Sequence, residues 1–461
     1  MRDLLVLLLV LGALPHVFSR AWIGVLVWSW LGYMNPHRLT FGFAYSFPFS
    51  QLVGLVTLIA FAFDKDKRAL PATPLMFLWG AFIVWLNLST LTAIYPDQAA
   101  WEWDRTMKIM LFCLLTVALI NTKQKLIVLV WVVVASLGFF GVKGGVFSVL
   151  GGGHSLVWGP PQSFITDNNS LGMVLVMTMP LMFFLSTLVE RKIFRLAIFG
   201  CMGLTALAIL GTHSRGALLA SVAMLTMLWW KSPYKGRTAL VLIALMPVFF
   251  QFMPDEWWER MQTIRTYQED GSAMGRLNAW GFAIRFAMDH PLTGGGFSVF
   301  SPELFMRYAP DPLDFHDAHS IYFEVLAEQG FVGLGLFLTL GVLTLLTAGR
   351  IIRLSKPHEE LAWARSLAAM VQVSLTGYAV GGAFLGMAYF DLYYHLIAIV
   401  MIAERLVQEH LGLVKVKSPS KDKERRKRRP RSQAPVGGPL DAPAPTAGAT
   451  MVATSSSRTS S

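Results

Sequence analysis

Apolar runs long enough to cross a bilayer recur along this chain, and one polar stretch, Met253 to Ser320, interrupts them. With 54% hydrophobic and only 15% charged residues among 461, the chain is too apolar for a soluble fold. The runs start with Leu4 to Phe18 and Ala21 to Met34 and finish with Leu361 to Leu385 and Tyr389 to Ile402, giving about twelve transmembrane helices. This predicts an all-α integral membrane protein. The first two runs are short and separated only by Ser19 and Arg20, so they form one broken helix or a shallow hairpin. Leu4 to Phe18 has the look of a signal-peptide core, but no small-x-small cleavage site precedes Ala21, and the segment is expected to be retained. The two cysteines, Cys113 and Cys201, sit inside apolar runs, which excludes a disulfide framework and a cysteine metal cluster.

The pattern divides the chain into a transmembrane bundle (1–252), a large polar loop carrying helices (253–320), C-terminal transmembrane helices (321–410) and a basic, disordered tail (411–461). Much of the net charge of +11 lies in that tail, between Lys415 and Arg431, which marks a cytoplasmic face meeting anionic lipid. Nuclear targeting or RNA binding is the competing reading, and the membrane context weighs against it. Counting back from a cytoplasmic tail puts Arg350, Arg353 and Lys356 inside, together with the clusters at 64–68, 123–125, 191–195 and 231–237. The polar loop then lies outside, with the Tyr95 to Asp104 turn, the Lys143 to Asn169 segment and the Gly211 to Gly216 turn.

Arg215 in that last turn breaks the charge rule. An arginine at the outer end of two apolar helices is costly unless it faces a cavity or an anion, although snorkelling to the headgroups is the plainer alternative. Lys143 is placed similarly, ahead of a glycine-rich stretch. Asp167-Asn168-Asn169 precede an apolar helix and read first as an N-cap, which would set a helix start where an anion binds. Within the loop, Trp257, Trp258, Met261 and Ile264 fit an interfacial helix. A second helix is expected over Ala273 to Met288, with Leu277, Trp280, Ile284 and Met288 on one side and Arg276 in its amino-terminal turn; Pro291 ends it and Gly294-Gly295-Gly296 turn the chain. His316 and His319, with Asp314 and Asp317 nearby, admit a metal site, a general base beside a phosphate pocket, or plain loop polarity; no third histidine or HExxH pattern supports the metal. A histidine passes protons near neutral pH, whereas the arginines of the stretch can hold phosphate but cannot.

The segment His319-Ser320-Ile321-Tyr322-Phe323-Glu324-Val325-Leu326-Ala327-Glu328-Gln329-Gly330 resembles the signature of the bacterial O-antigen ligase and polymerase superfamily. Arg276 with Trp280, followed by Pro291, Gly294 and Gly296, resembles the family's Arg-x-x-x-Trp and Pro-x-x-Gly-x-Gly segment, and Ser214-Arg215-Gly216 its short arginine motif. Tyr33 to Leu39 is similar to the subgroup of O-glycosylation ligases associated with exosortase systems. The resemblance covers the chain to about residue 410 and implies a GT-C-type glycosyltransferase with an outer-face site that works without a metal ion or other cofactor. It implies that His319 is the catalytic histidine and that Arg215 and Arg276 hold the diphosphate of an undecaprenyl-linked glycan, with Arg265 and His316 matching less clearly.

On that basis the expected activity is O-antigen ligase, moving glycan from undecaprenyl diphosphate to lipid A-core at the periplasmic side of the inner membrane. A polymerase and a protein O-oligosaccharyltransferase share the layout. A lipid-linked glycan flippase or transporter would also have about twelve spans and buried arginines, but its charges would sit midway along helices rather than at one outer face.

Overall fold

Short polar residues just ahead of apolar runs start the helices. Thr73, Thr122, Ser214 and Ser301 each accept a hydrogen bond from a backbone N–H of the first turn, at 3.2–3.3 Å, filling one of the donors a helix start leaves unpaired. Asp167 does the same twice, accepting from Asn169 N at 2.9 Å and Ser170 N at 3.0 Å.

The computed structural model describes residues 1–252 and 271–414, and among these the chain is helical with no strand. The helices are α1 (Arg2–Ser19), α2 (Ala21–Met34), α3 (Phe49–Phe63), α4 (Pro74–Leu91), α5 (Pro96–Leu119), α6 (Lys123–Leu150), α7 (Asn168–Leu188), α8 (Lys192–Gly211), α9 (Arg215–Lys231), α10 (Lys235–Phe252), α11 (Gly271–Asp289), α12 (Pro302–Tyr308), α13 (Ile321–Ser355), α14 (Ala362–Gly381) and α15 (Asp391–His410). Seven helices of the described residues, including α1, α4, α6, α7, α8 and α13, are long and apolar enough to cross a membrane, and α2 and α3 are shorter apolar helices. The protein is therefore a multi-pass membrane protein. The described residues belong to one compact unit, Met1–Lys415. The aromatic interfacial segment expected around Trp257 and the basic tail lie outside them.

The first two apolar runs form a hairpin. Asp3, in the first turn of α1, accepts from Gly42 N at 3.0 Å and Ala44 N at 3.1 Å, beyond the far end of α2, so the two helices run antiparallel across the break at Arg20. Another boundary differs from expectation. Lys143, Gly144 and Gly145 belong to α6, which continues to Leu150, so the outer loop begins only there. The glycines serve packing rather than a bend: a Cβ on Gly145 would lie 2.1 Å from Leu204 O of α8, a close helix contact that only the smallest side chains allow.

Several basic clusters sit at one end of the bundle. Arg68 N donates to Ala118 O at 2.9 Å and its guanidinium faces Glu409 at 3.6 Å. Arg405 donates to Val117 O and Ile120 O, capping the carboxyl end of α5, where positive charge meets the negative end of the helix dipole. Arg195 closes on Val189 O, and Arg350 on Glu404 at 3.3 Å.

At the opposite end, α13 is two helices joined at Gly330, whose φ of 68° lies in the left-handed region. The break is occupied by the chain that follows α11. Gly295 N and Gly296 N donate to Ala327 O and Glu328 O, and Phe331 N donates to Pro291 O, so the carbonyls and amide freed by the break are paired again. Glu328 accepts from Ser298 N at 2.9 Å, Gln329 bonds Ser89 of α4 through its side chain, and Trp85 Nε1 donates to Gln329 O at 2.9 Å. The Glu-Gln-Gly end of the signature is thus a structural joint. A Cβ at position 330 would fall 2.0 Å from Leu292 O. Gly330→Ala is expected to destabilise the protein by more than the ~1–3 kcal/mol of left-handed strain alone, seen as a lower thermal midpoint in detergent; an unchanged midpoint would contradict this reading.

Candidate active site

The starts of two helices meet at the end of the bundle opposite the basic clusters. With Asp167 serving as its N-cap, α7 presents Asn168 and Asn169 in its first turn, and Asn168 is tied to the next turn by its Nδ2 donating to Thr212 O at 2.7 Å. Ser214 caps α9, which makes Arg215 the first residue of that helix. Each helix start carries partial positive charge, which favours an anion.

These residues line a cavity of about 320 Å³. Arg215 and Gly216 from α9, Asn168 and Asn169 from α7, and Arg276 from α11 form its polar part. Met173, Leu156, Phe384 and Leu385 form its apolar part. The structure therefore brings Arg215 and Arg276, 61 residues apart in sequence, to one cavity. Their planar guanidinium groups are suited to bidentate contact with phosphate oxygens.

Arg276 lies in the second turn of α11 rather than the first, because the helix begins at Gly271. The same helix holds the histidine segment in place. Trp280, one turn beyond Arg276, donates from Nε1 to Ala318 O at 2.9 Å and stacks on Phe323 with ring centres 4.9 Å apart. Buried Asn278 donates to Asp311 O and Asp314 O and accepts from Asp311 N, each at 2.8 Å. The His316 ring packs where a Cβ of Gly275 would be, and its Nδ1 faces Asp314 at 3.1 Å. Spacing of four places Arg276 and Trp280 one turn apart, so one helix offers the cation and grips the backbone next to His319.

His319 stands just before α13 with φ of 41°, beside Gly386, whose Cβ would come 3.9 Å from His319 Cα. Burial holds its imidazole below the ordinary histidine pKa, and the nearby Arg276 charge pushes the same way, against Asp317 and Asp167. The ring is accordingly neutral at pH 7 and able to accept a proton.

Of the other expected residues, Lys143 is exposed on α6 and is not among those lining the cavity, since the helix carries on past it. Arg265 lies outside the described residues. Among the described residues no group of three or more His, Cys, Asp or Glu side chains is placed to share a metal ion. Sequence reasoning passed over His213, which lines the cavity with φ of 51° and donates from Nε2 to Gly153 O at 2.9 Å. It also passed over Phe384 and Leu385, which lie in an apolar run with no local mark of function. Asp167 caps α7, as its position ahead of an apolar run suggests, and Asn168 and Asn169 line the cavity.

Residues 1–189 match the model of a family of unknown function (DUF5935). No curated protein matches the chain. Residues 199–338, a span that contains Arg215, Arg276, His316 and His319, match the O-antigen ligase family model. That match places an O-antigen ligase domain at residues 199–338, in keeping with the O-antigen ligase superfamily.

Proposed function

We propose that the protein is an O-antigen ligase of the GT-C type, with about twelve spans, which transfers glycan from undecaprenyl diphosphate to lipid A-core in the periplasmic leaflet of the bacterial inner membrane. The observation that carries this reading is the cavity shared by Arg215 and Arg276 at two helix starts, with His319 held nearby by the same helix that carries Arg276. The basic clusters at the other end of the bundle support a periplasmic site under the positive-inside rule.

In this mechanism the acceptor hydroxyl attacks the anomeric carbon of the donor sugar as His319 takes up its proton, and the bond to the lipid diphosphate breaks on the opposite face. One displacement inverts the anomeric configuration. Charge accumulates on the departing diphosphate, where Arg215 and Arg276, joined by Arg265 from the loop, stabilise it more strongly in the transition state than in the bound donor. Trp280 and Asn278 act as positioning residues by fixing the backbone that carries His319.

Purified protein given lipid-linked glycan should modify lipid A-core in preference to a second glycan or a protein. His319→Ala should lower turnover about 10²–10⁴-fold, the range for loss of a general base. Arg215→Ala and Arg276→Ala should each cost roughly 10²–10³-fold, as for an oxyanion donor. Glycan appearing on protein or on glycan alone would replace the acceptor assignment, and full activity in His319→Ala would remove the mechanism.

The acid limb of the pH profile should fall below the ordinary histidine value, since His319 must be deprotonated to act and its pKa is lowered. Arg276→Gln removes one cause of that lowering, so the acid limb of its residual activity should move to higher pH; a shift to lower pH would contradict the placement. Activity should survive EDTA, and loss restored by a divalent ion would overturn the metal-free mechanism.

A further inference from the structure

Helix α11 carries two apolar stripes, and among the described residues only one is packed against protein. Ala279, Phe282, Ala283 and Phe286 are fully buried against α12 and the first part of α13, in a cluster that includes Phe305 and Ala327. On the other side Met274, Leu277, Ile284 and Met288 are exposed, Met288 at 67%. This is the side the sequence marks as the apolar face of the helix, apart from Trp280, which is drawn aside onto Phe323. Pro310 lies against Gly281 in the middle of the exposed stripe and adds to its apolar surface.

Both ends of α11 lie level with the ends of other helices of the bundle. Near its start, Arg276 shares the cavity with the first residues of α7 and α9 and the last of α14. Just past its end, Gly295 O accepts from Ile94 N at 2.9 Å, and Gly296 is fitted against Ala93 where α4 stops. A helix of 19 residues is about 28 Å long. Pinned at both ends to the same rim, it runs across the mouth of the bundle rather than away from it.

The exposed stripe is also continuous with the outward face of a spanning helix. Leu292, in the turn that follows α11, is 64% exposed and abuts Gly330, and the residue after that glycine, Phe331, is 49% exposed. From Phe331 the exposed apolar face continues along α13 through Leu338, Val342 and Leu346. Arg285, exposed at the edge of the stripe, offers a cation for a phosphate headgroup.

We infer that α11 is an interfacial helix whose Met274, Leu277, Ile284 and Met288 stripe is covered by lipid of the outer leaflet. Lipid contact on this side fixes α11 at headgroup depth, and Arg276 on its inner side is thereby held at the height of a lipid's phosphates. The occupant is bilayer lipid, not a second copy of the chain or a soluble partner.

The test uses full-length protein in lipid nanodiscs, with Cys201→Ala and an environment-sensitive fluorophore on Leu277→Cys, Ile284→Cys or Met288→Cys. Exposed Glu303→Cys on α12 serves as the aqueous reference and Leu338→Cys on α13 as the lipid reference. Nitroxide-bearing lipids should quench the three stripe positions several-fold more than Glu303→Cys, while aqueous iodide should quench them several-fold less. Quenching by iodide at the level of Glu303→Cys would overturn the inference by placing the stripe in water. Protection from both quenchers would overturn it too, by showing protein in place of lipid. Three separate labelled positions, all on exposed side chains, guard against one variant failing to fold.

Discussion

Guanidinium groups near a bilayer are held where water or an anion can reach them, and two of them converge here on one cavity at the starts of two helices. The electrostatics of that meeting orders the rest of the site. Arg215 is the first residue of α9, so a helix end and the Arg215 and Arg276 side chains contribute positive potential to the same volume, offset at the start of α7 by the Asp167 carboxylate. His319 feels it as well: burial first and the Arg276 charge second lower its pKa. An imidazole whose pKa is lowered by burial and by a nearby guanidinium is an arrangement that fits the proposed transfer from a diphosphate.

The scaffold that makes this possible is a break in a spanning helix. Without the left-handed turn at Gly330, α13 would run straight, and there would be no site for the glycine-rich chain after α11 to dock. With it, the segment 321–329 bends across the bundle and provides the surface on which the aromatic cluster of α11 and α12 packs. Through Trp280 and Asn278, α11 then fixes the backbone leading to His319. The superfamily motifs thus have separable physical roles: the arginines line a cavity, the tryptophan grips a loop, and the glycines and Glu-Gln-Gly build the joint.

Much of this is legible in the sequence because it rests on local rules. Apolar runs mark the helices, the positive clusters mark one end of the bundle, and Asp167 marks the start of α7. What escapes is tertiary. Glycines at 144 and 145 suggest a loop after Lys143, yet they allow α8 to approach α6, which no single segment reveals. In α11 the periodicity of Leu277, Ile284 and Met288 is read correctly as a stripe, but which stripe meets protein depends on Phe282 and Phe286 finding partners in α12 and α13. Phe384 and Leu385 become cavity residues only because α14 ends beside Arg215.

The central claim is that Arg215 and Arg276 together hold a lipid diphosphate. Binding of an undecaprenyl diphosphate-linked glycan to the His319→Ala protein in nanodiscs, where turnover does not consume the ligand, tests it most directly. The account predicts saturable binding that weakens as salt is raised and is lost when Arg215→Gln and Arg276→Gln are added. Equal affinity with and without the two arginines would contradict it.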